Sequence, residues 1–99
     1  MPPDDSDART WRIIHPEALS WRCWDGDYVI FNGQSGLTHA LDVTAGAIFE
    51  LALRGAATPA ELQARLAAFL GPGAPPDLRG AVPSTLARLD QLGLAEAVA

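Results

Sequence analysis

The sequence predicts an α+β domain in which a three-stranded antiparallel meander precedes three α-helices. Two patterns carry that reading. Residues 19–41 are rich in aromatic and β-branched side chains set between two glycine-bearing turns, as the strands of a meander require. From Asp42 onward, apolar residues return every three or four positions between residues that start and stop helices. A length of 99 residues fits one domain, expected over residues 11–99. Ahead of it, residues 1–10 carry Pro2, Pro3, Asp4, Asp5, Ser6 and Asp7 with little to bury, and are expected to form a flexible tail.

Taken in order, Trp11-Arg12-Ile13-Ile14 is expected to be a short extended piece along the domain edge. It is closed by His15-Pro16, because proline biases its predecessor toward extended geometry. The first hairpin admits two registers around Asp25-Gly26. A two-residue turn would pair Trp21 with Ile30 and Ser20 with Phe31, mixing polar and apolar residues on each face. A three-residue loop, Trp24-Asp25-Gly26, pairs Trp21 with Val29 and Leu19 with Phe31, leaving Ser20, Arg22, Tyr28 and Asn32 outside. Side-chain parity favours the second and places Cys23 inward. Residues 32–36 then turn the chain into an edge strand, Leu37 to Leu41.

The helices are marked by local chemistry. Asp42 is an N-cap for a first helix with the buried stripe Ala45, Ile48, Phe49 and Ala52, stopped at Gly55. Thr58-Pro59-Ala60-Glu61 combines a capping box with proline at the first helical position, and Leu62, Leu66, Phe69 and Leu70 follow until Gly71-Pro72-Gly73. A short, stiff linker leads to a third helix capped by Asp77, with Leu78, Val82, Leu86, Leu89 and Leu92 at helical spacing. Pro83 predicts a kink or a fresh start within it. Gly93 stops this helix and lets Leu94 fold back on its last turn.

Composition excludes several functions. Seven arginines and no lysine against twelve acids give a net charge of −5, which repels a phosphate backbone, so nucleic acid is not an expected partner. Without lysine there is no Walker-type phosphate loop, no Schiff base and no covalently held pyridoxal phosphate. One cysteine and two histidines cannot assemble the usual four-ligand zinc set, and no metal or cofactor is expected. The apolar runs are too short to cross a bilayer, and no signal pattern opens the chain, so the expectation is a cytoplasmic protein with no membrane partner. Nor does the sequence set out a nucleophile with its base. Ser35 joins two strands rather than a strand to a helix, His39 reads as a half-buried strand residue, and Asp25 and Asp27 read as turn formers. A non-enzyme is expected. Trp21 reads as core, whereas Trp24, at a loop tip, is open to a partner contact or a fold-back onto the sheet.

Strands followed by helices in this order suit a winged-helix-like domain, and the residues also resemble a family. Leu19-Ser20-Trp21-Arg22-Cys23-Trp24-Asp25, Val29-Ile30-Phe31-Asn32 and Ser35-Gly36-Leu37-Thr38-His39 resemble the PqqD-like peptide chaperones, or precursor-peptide recognition elements, of the branch named for the HPr-rel-A system. Thr44-Ala45, Ile48, Leu51, Gly55, Thr58, Glu61, Leu62, Leu86, Leu89 and Gly93-Leu94 fall where that family carries its helix starts, core and last stop. The resemblance implies a non-catalytic protein that holds a precursor, or leader, peptide for a modifying enzyme of the same gene system. In that family the third helix lines the peptide groove, and Pro83 departs from the pattern there.

The expected site joins the edge strand to that helix. Leu37, Thr38, His39, Ala40 and Leu41 would pair with the peptide, while Arg79, Val82, Pro83, Leu86 and Asp90 lie at steps of three or four on the helix beside it. Val82 and Leu86 are assigned to hold peptide side chains, and Arg79 to meet an acidic one. Two other readings stand beside this one. A winged-helix DNA-binding domain fits the element count, but the third helix offers Arg79 and Arg88 against Asp77 and Asp90. A structural or dimerisation subunit of a larger enzyme, including a homodimer, differs only in what covers the edge strand.

Overall fold

β2 (Leu19–Trp24), β3 (Asp27–Asn32) and β4 (Leu37–Leu41) form an antiparallel sheet in the order β2-β3-β4, followed by α1 (Val43–Leu53), α2 (Pro59–Leu70) and α3 (Leu78–Gln91). The α+β, winged-helix-like arrangement expected from the sequence is present in this computed structural model. It describes residues 9–73 and 78–98, with only the backbone of Gly73, Leu78 and Arg79. Most of the expected tail, the linker before the third helix and its Asp77 cap lie outside the described residues.

A second sheet was not expected. β1 (Thr10–Ile13) pairs antiparallel with β5 (Ala95–Val98), so Thr10, assigned to the tail, is a strand residue opposite Val98. The other side of β1 is held at Trp11, whose N–H and C=O exchange bonds of 2.8 and 3.0 Å with Ala57 in the α1–α2 loop. Arg12 and Glu96 face each other across the strands as an ion pair. His15 departs from the expected extended geometry: its φ of 44° and ψ of 60° are left-handed, and they start a 3-10 turn over Pro16–Ala18.

The first hairpin takes the register that parity had rejected. Asp25 (φ 51°) and Gly26 (φ 86°) make a two-residue primed turn, closing on Trp24 and Asp27 and pairing Trp21 with Ile30 and Ser20 with Phe31. A one-residue slip exchanges the faces of a strand. Tyr28 and Ile30 therefore point inward, 7% and 0% exposed, while Val29 and Phe31 point out and Phe31 is 45% exposed. The reason lies in α1. A Cβ on Gly46 would fall 2.0 Å from the Tyr28 ring, so only glycine leaves room for it, and Glu50 one turn on accepts the Tyr28 hydroxyl proton. Burial, and after it the Glu50 carboxylate, pushes that hydroxyl far above its ordinary pKa. Trp21 stacks on Tyr28 at 5.6 Å and meets Phe49 edge-on at 6.2 Å, yet as an edge-strand residue it stays 36% exposed. Cys23, expected inside, is exposed near the end of the same edge strand.

The local start and stop signals hold, but of the stripe assigned to α2 only Leu62 and Leu66 are buried, while Phe69 and Leu70 are exposed. The Ala45 N–H donates to Asp42 Oδ1 at 2.8 Å, and Ala45, Ile48, Phe49 and Ala52 are all buried. Thr58 and Glu61 form the full capping box, with bonds of 3.2 and 2.9 Å. At the third stop Gly93 is left-handed (φ 77°), the Leu94 N–H returns to the Leu89 carbonyl at 2.8 Å, and Leu94 is fully buried. The helix does not restart at Pro83, which lies inside continuous α3. It is the sixth residue, so the missing N–H costs one bond in the first turn, and burial of Val82, Leu86 and Leu89 holds the helix on both sides. Ile13, Tyr28, Ile30, Leu41, Phe49, Leu62, Leu66, Val82, Leu86, Leu89 and Leu94 belong to one core cluster.

Candidate functional site

The three-stranded sheet has two free edges, and the phase of its hydrogen bonds fixes what each exposes. A two-residue turn makes Trp24 and Asp27 a bonded pair, so bonding alternates to Arg22 with Val29 and Ser20 with Phe31. The Gly33 N–H, 2.8 Å from the Ala18 carbonyl, continues that phase. Tyr28 and Ile30 must then bond to the other neighbours, Leu41 and His39 on β4. Thr38 and Ala40 consequently turn both N–H and C=O away from β3, toward the free side of β4. On β2 the same reasoning frees Trp21 and Cys23 and the carbonyl of Leu19, whose N–H is taken by the Pro16 carbonyl.

Only the β4 edge has a helix reaching to it through a hydrogen bond among the described residues. Arg88 of α3 donates from Nη2 to the Ala40 carbonyl at 3.2 Å, confirming that this oxygen faces outward. Helical geometry then orients α3. Successive residues step about 100° around a helix, so Arg88 and Asp90 lie on opposite flanks of the buried Leu89. Ala81 shares the Arg88 flank beside Val82, and Ser84 lies one turn before Arg88. Pro83 lies on the Asp90 flank.

The expected site is therefore only partly assembled. Leu37, Thr38 and Ala40 are exposed and His39 is half-buried, but Leu41 is core at 2%. Val82 and Leu86, assigned to hold peptide side chains, are 0% and 1% exposed and already hold the domain together. Their assignment failed because one apolar stripe was divided between core and groove, whereas the core takes all of it. Pro83 and Asp90 are exposed on the flank away from Arg88, and the side chain of Arg79 lies outside the described residues. Arg88 reaches the β4 edge and was missed, as was the helix flank it shares with Ala81 and Ser84. Their wheel positions are readable in the sequence, but which flank meets the strand is decided by packing.

His39 shares the helix-side face of β4 with Leu37 and Leu41, and its Nε2 is buried without a hydrogen-bond partner. Ser35 is the turn residue expected, its Oγ accepting the Leu37 N–H at 3.2 Å. Elsewhere, Trp21, Trp24, Val29 and Phe31 border a hollow of about 200 Å³ opening on the outer face, where Trp24 is 64% exposed. Leu51, Arg54, Arg65, Ala68 and Phe69 line an open cleft of about 540 Å³ between α1 and α2. Among the described residues no three His, Cys, Asp or Glu side chains gather as metal ligands, and no helix is long and apolar enough to cross a membrane.

Known structures supply the comparison. The solved structure of TbiB1 in complex with the TbiA(beta) leader peptide superposes with a TM-score of 0.66 at 23% identity, covering 89% of this chain and 98% of that one. The two chains share a fold. No protein-family model matches the sequence, and no curated protein matches it. At this identity the likeness concerns architecture, so the role of the β4 edge rests on its own geometry.

Proposed function

We infer that the protein is a non-catalytic peptide-binding domain that takes an extended precursor, or leader, peptide as a fourth strand on β4. The observation that carries this is the outward N–H and C=O of Thr38 and Ala40 beside α3. An added strand satisfies such groups directly, and side chains on the helix side of that strand supply selection. The fold it shares with TbiB1, a protein solved with a leader peptide, supports the same reading. So does the resemblance of its sequence motifs to the PqqD-like chaperones. Presentation of the held peptide to a modifying enzyme completes the proposal. Calorimetric titration with short peptides encoded beside this gene tests it: micromolar or tighter binding that Ala40→Pro removes supports it, and binding indifferent to that change contradicts it.

Exposed Trp24 and Phe31 favour a second reading, a subunit that docks by its outer sheet face on an enzyme or on another copy of itself. Sedimentation of the wild type and Trp24→Ser across a concentration series tests self-association. Equal mass at all concentrations removes the homodimer.

A further inference from the structure

The contact between Arg88 and Ala40 has a consequence for any strand that arrives. To pair with β4, the newcomer must place an N–H on the Ala40 carbonyl, which the Arg88 guanidinium now occupies at 3.2 Å. Among the described residues that guanidinium makes no ion pair in the free protein. The nearby Asp42 accepts from the Ala45 N–H as the cap of α1.

We propose that Arg88 guards the free edge of β4 and, once displaced, selects a peptide carrying one carboxylate on the helix side of the added strand. This rests on the peptide-binding reading above. A residue opposite Ala40 shares the outer face with the Ala40 side chain, so its immediate neighbours point to the helix-covered face of the sheet. One of them lies opposite His39, whose buried Nε2 has no partner. An Asp or Glu there meets the released guanidinium. Arg88 thereby exchanges a bond to a neutral carbonyl for a charge-assisted, forked one, which is stronger and more directional. A peptide without the carboxylate displaces Arg88 with no such return. Because the chain carries a net charge of −5, a run of acids is repelled at long range. The preference is for a single carboxylate at one place.

The test is selection from a displayed library of random twelve-residue peptides on the full-length protein. Ala40→Pro, Arg88→Gln and Arg88→Glu are run in parallel, with thermal melts of the Arg88 variants as the folding control. The expected result is a set of peptides that Ala40→Pro no longer binds and that share Asp or Glu at one position. Replacing that acid by its amide should weaken binding about tenfold. Arg88→Gln should remove the preference, weakening the acidic peptide and tightening the amide peptide, which no longer has a guanidinium to displace, and Arg88→Glu should select Lys or Arg instead. Peptides that need the β4 edge yet share no acid, or whose acid preference survives Arg88→Gln, overturn the guard and leave the peptide-binding reading standing. Absence of enriched peptides, or peptides that protect no amide in β4 of the wild type, overturns both.

Discussion

The two free edges of the sheet differ less in their backbones than in what stands beside them. β2 offers the outward groups of Trp21 and Cys23 and the Leu19 carbonyl, and β4 those of Thr38 and Ala40. Hydrogen-bonding capacity would therefore choose the longer β2. Yet β2 has no helix-borne donor at its edge among the described residues, while β4 has Arg88 on its outermost carbonyl. An exposed strand is in itself a hazard, open to any extended chain. A strand with a side chain already on its acceptor admits only partners able to displace it. On the proposed reading, selectivity at this sheet comes from the flanking helix.

The largest effect should separate the edges. Ala40→Pro removes an outward N–H from β4 and should reduce peptide affinity at least a hundredfold, about 3 kcal/mol, whereas Cys23→Pro removes one from β2 and should leave affinity unchanged. Calorimetry on both variants checks this, and equal losses would erase the distinction. Next in size, Gly46→Ala forces a methyl into the Tyr28 ring and should cost about 1–3 kcal/mol in denaturant unfolding. Because Tyr28 sits on β3, between the two edges, both should loosen together in amide exchange.

A smaller effect belongs to a cap outside the sheet. Thr58→Ala should lower stability by about 1 kcal/mol in chemical denaturation with little change in peptide affinity. Hydrogen bonds from Thr58, the backbone one foremost, hold the Glu61 carboxyl below the usual glutamate range. Its share of the cap is complete above that range and is lost as pH falls through the lowered value, so wild type and a Glu61→Ala variant should converge in acid. Smallest of all, Trp24→Ser should alter neither melting temperature nor peptide affinity, since Trp24 is mostly in solvent and off the β4 edge.

What the sequence disclosed follows the range of the forces involved. Helix starts at Asp42 and Thr58 and the stop at Gly93 are settled within a few residues, and each stands as expected. The hairpin register was not settled locally. Both turns were open to Asp25-Gly26, and the choice fell to Gly46 and Glu50, which make a place for Tyr28 from a distant helix. β5 escaped notice because Ala95-Glu96-Ala97-Val98 carries no strong strand pattern and gains its partner from the other end of the chain. Of the proposed site, the free edge of β4 was legible from its place at the end of a meander. The helix side was not, because Val82, Leu86 and Leu89 and their flanks look alike until packing decides which flank meets β4.

Amide hydrogen exchange of the wild-type protein with and without a bound peptide tests the central claim most directly. The account predicts slowed exchange at Thr38 and Ala40, whose N–H groups are free of the sheet, with Trp21 and Cys23 unchanged. Protection at those β2 amides with none at Thr38 and Ala40 would contradict it.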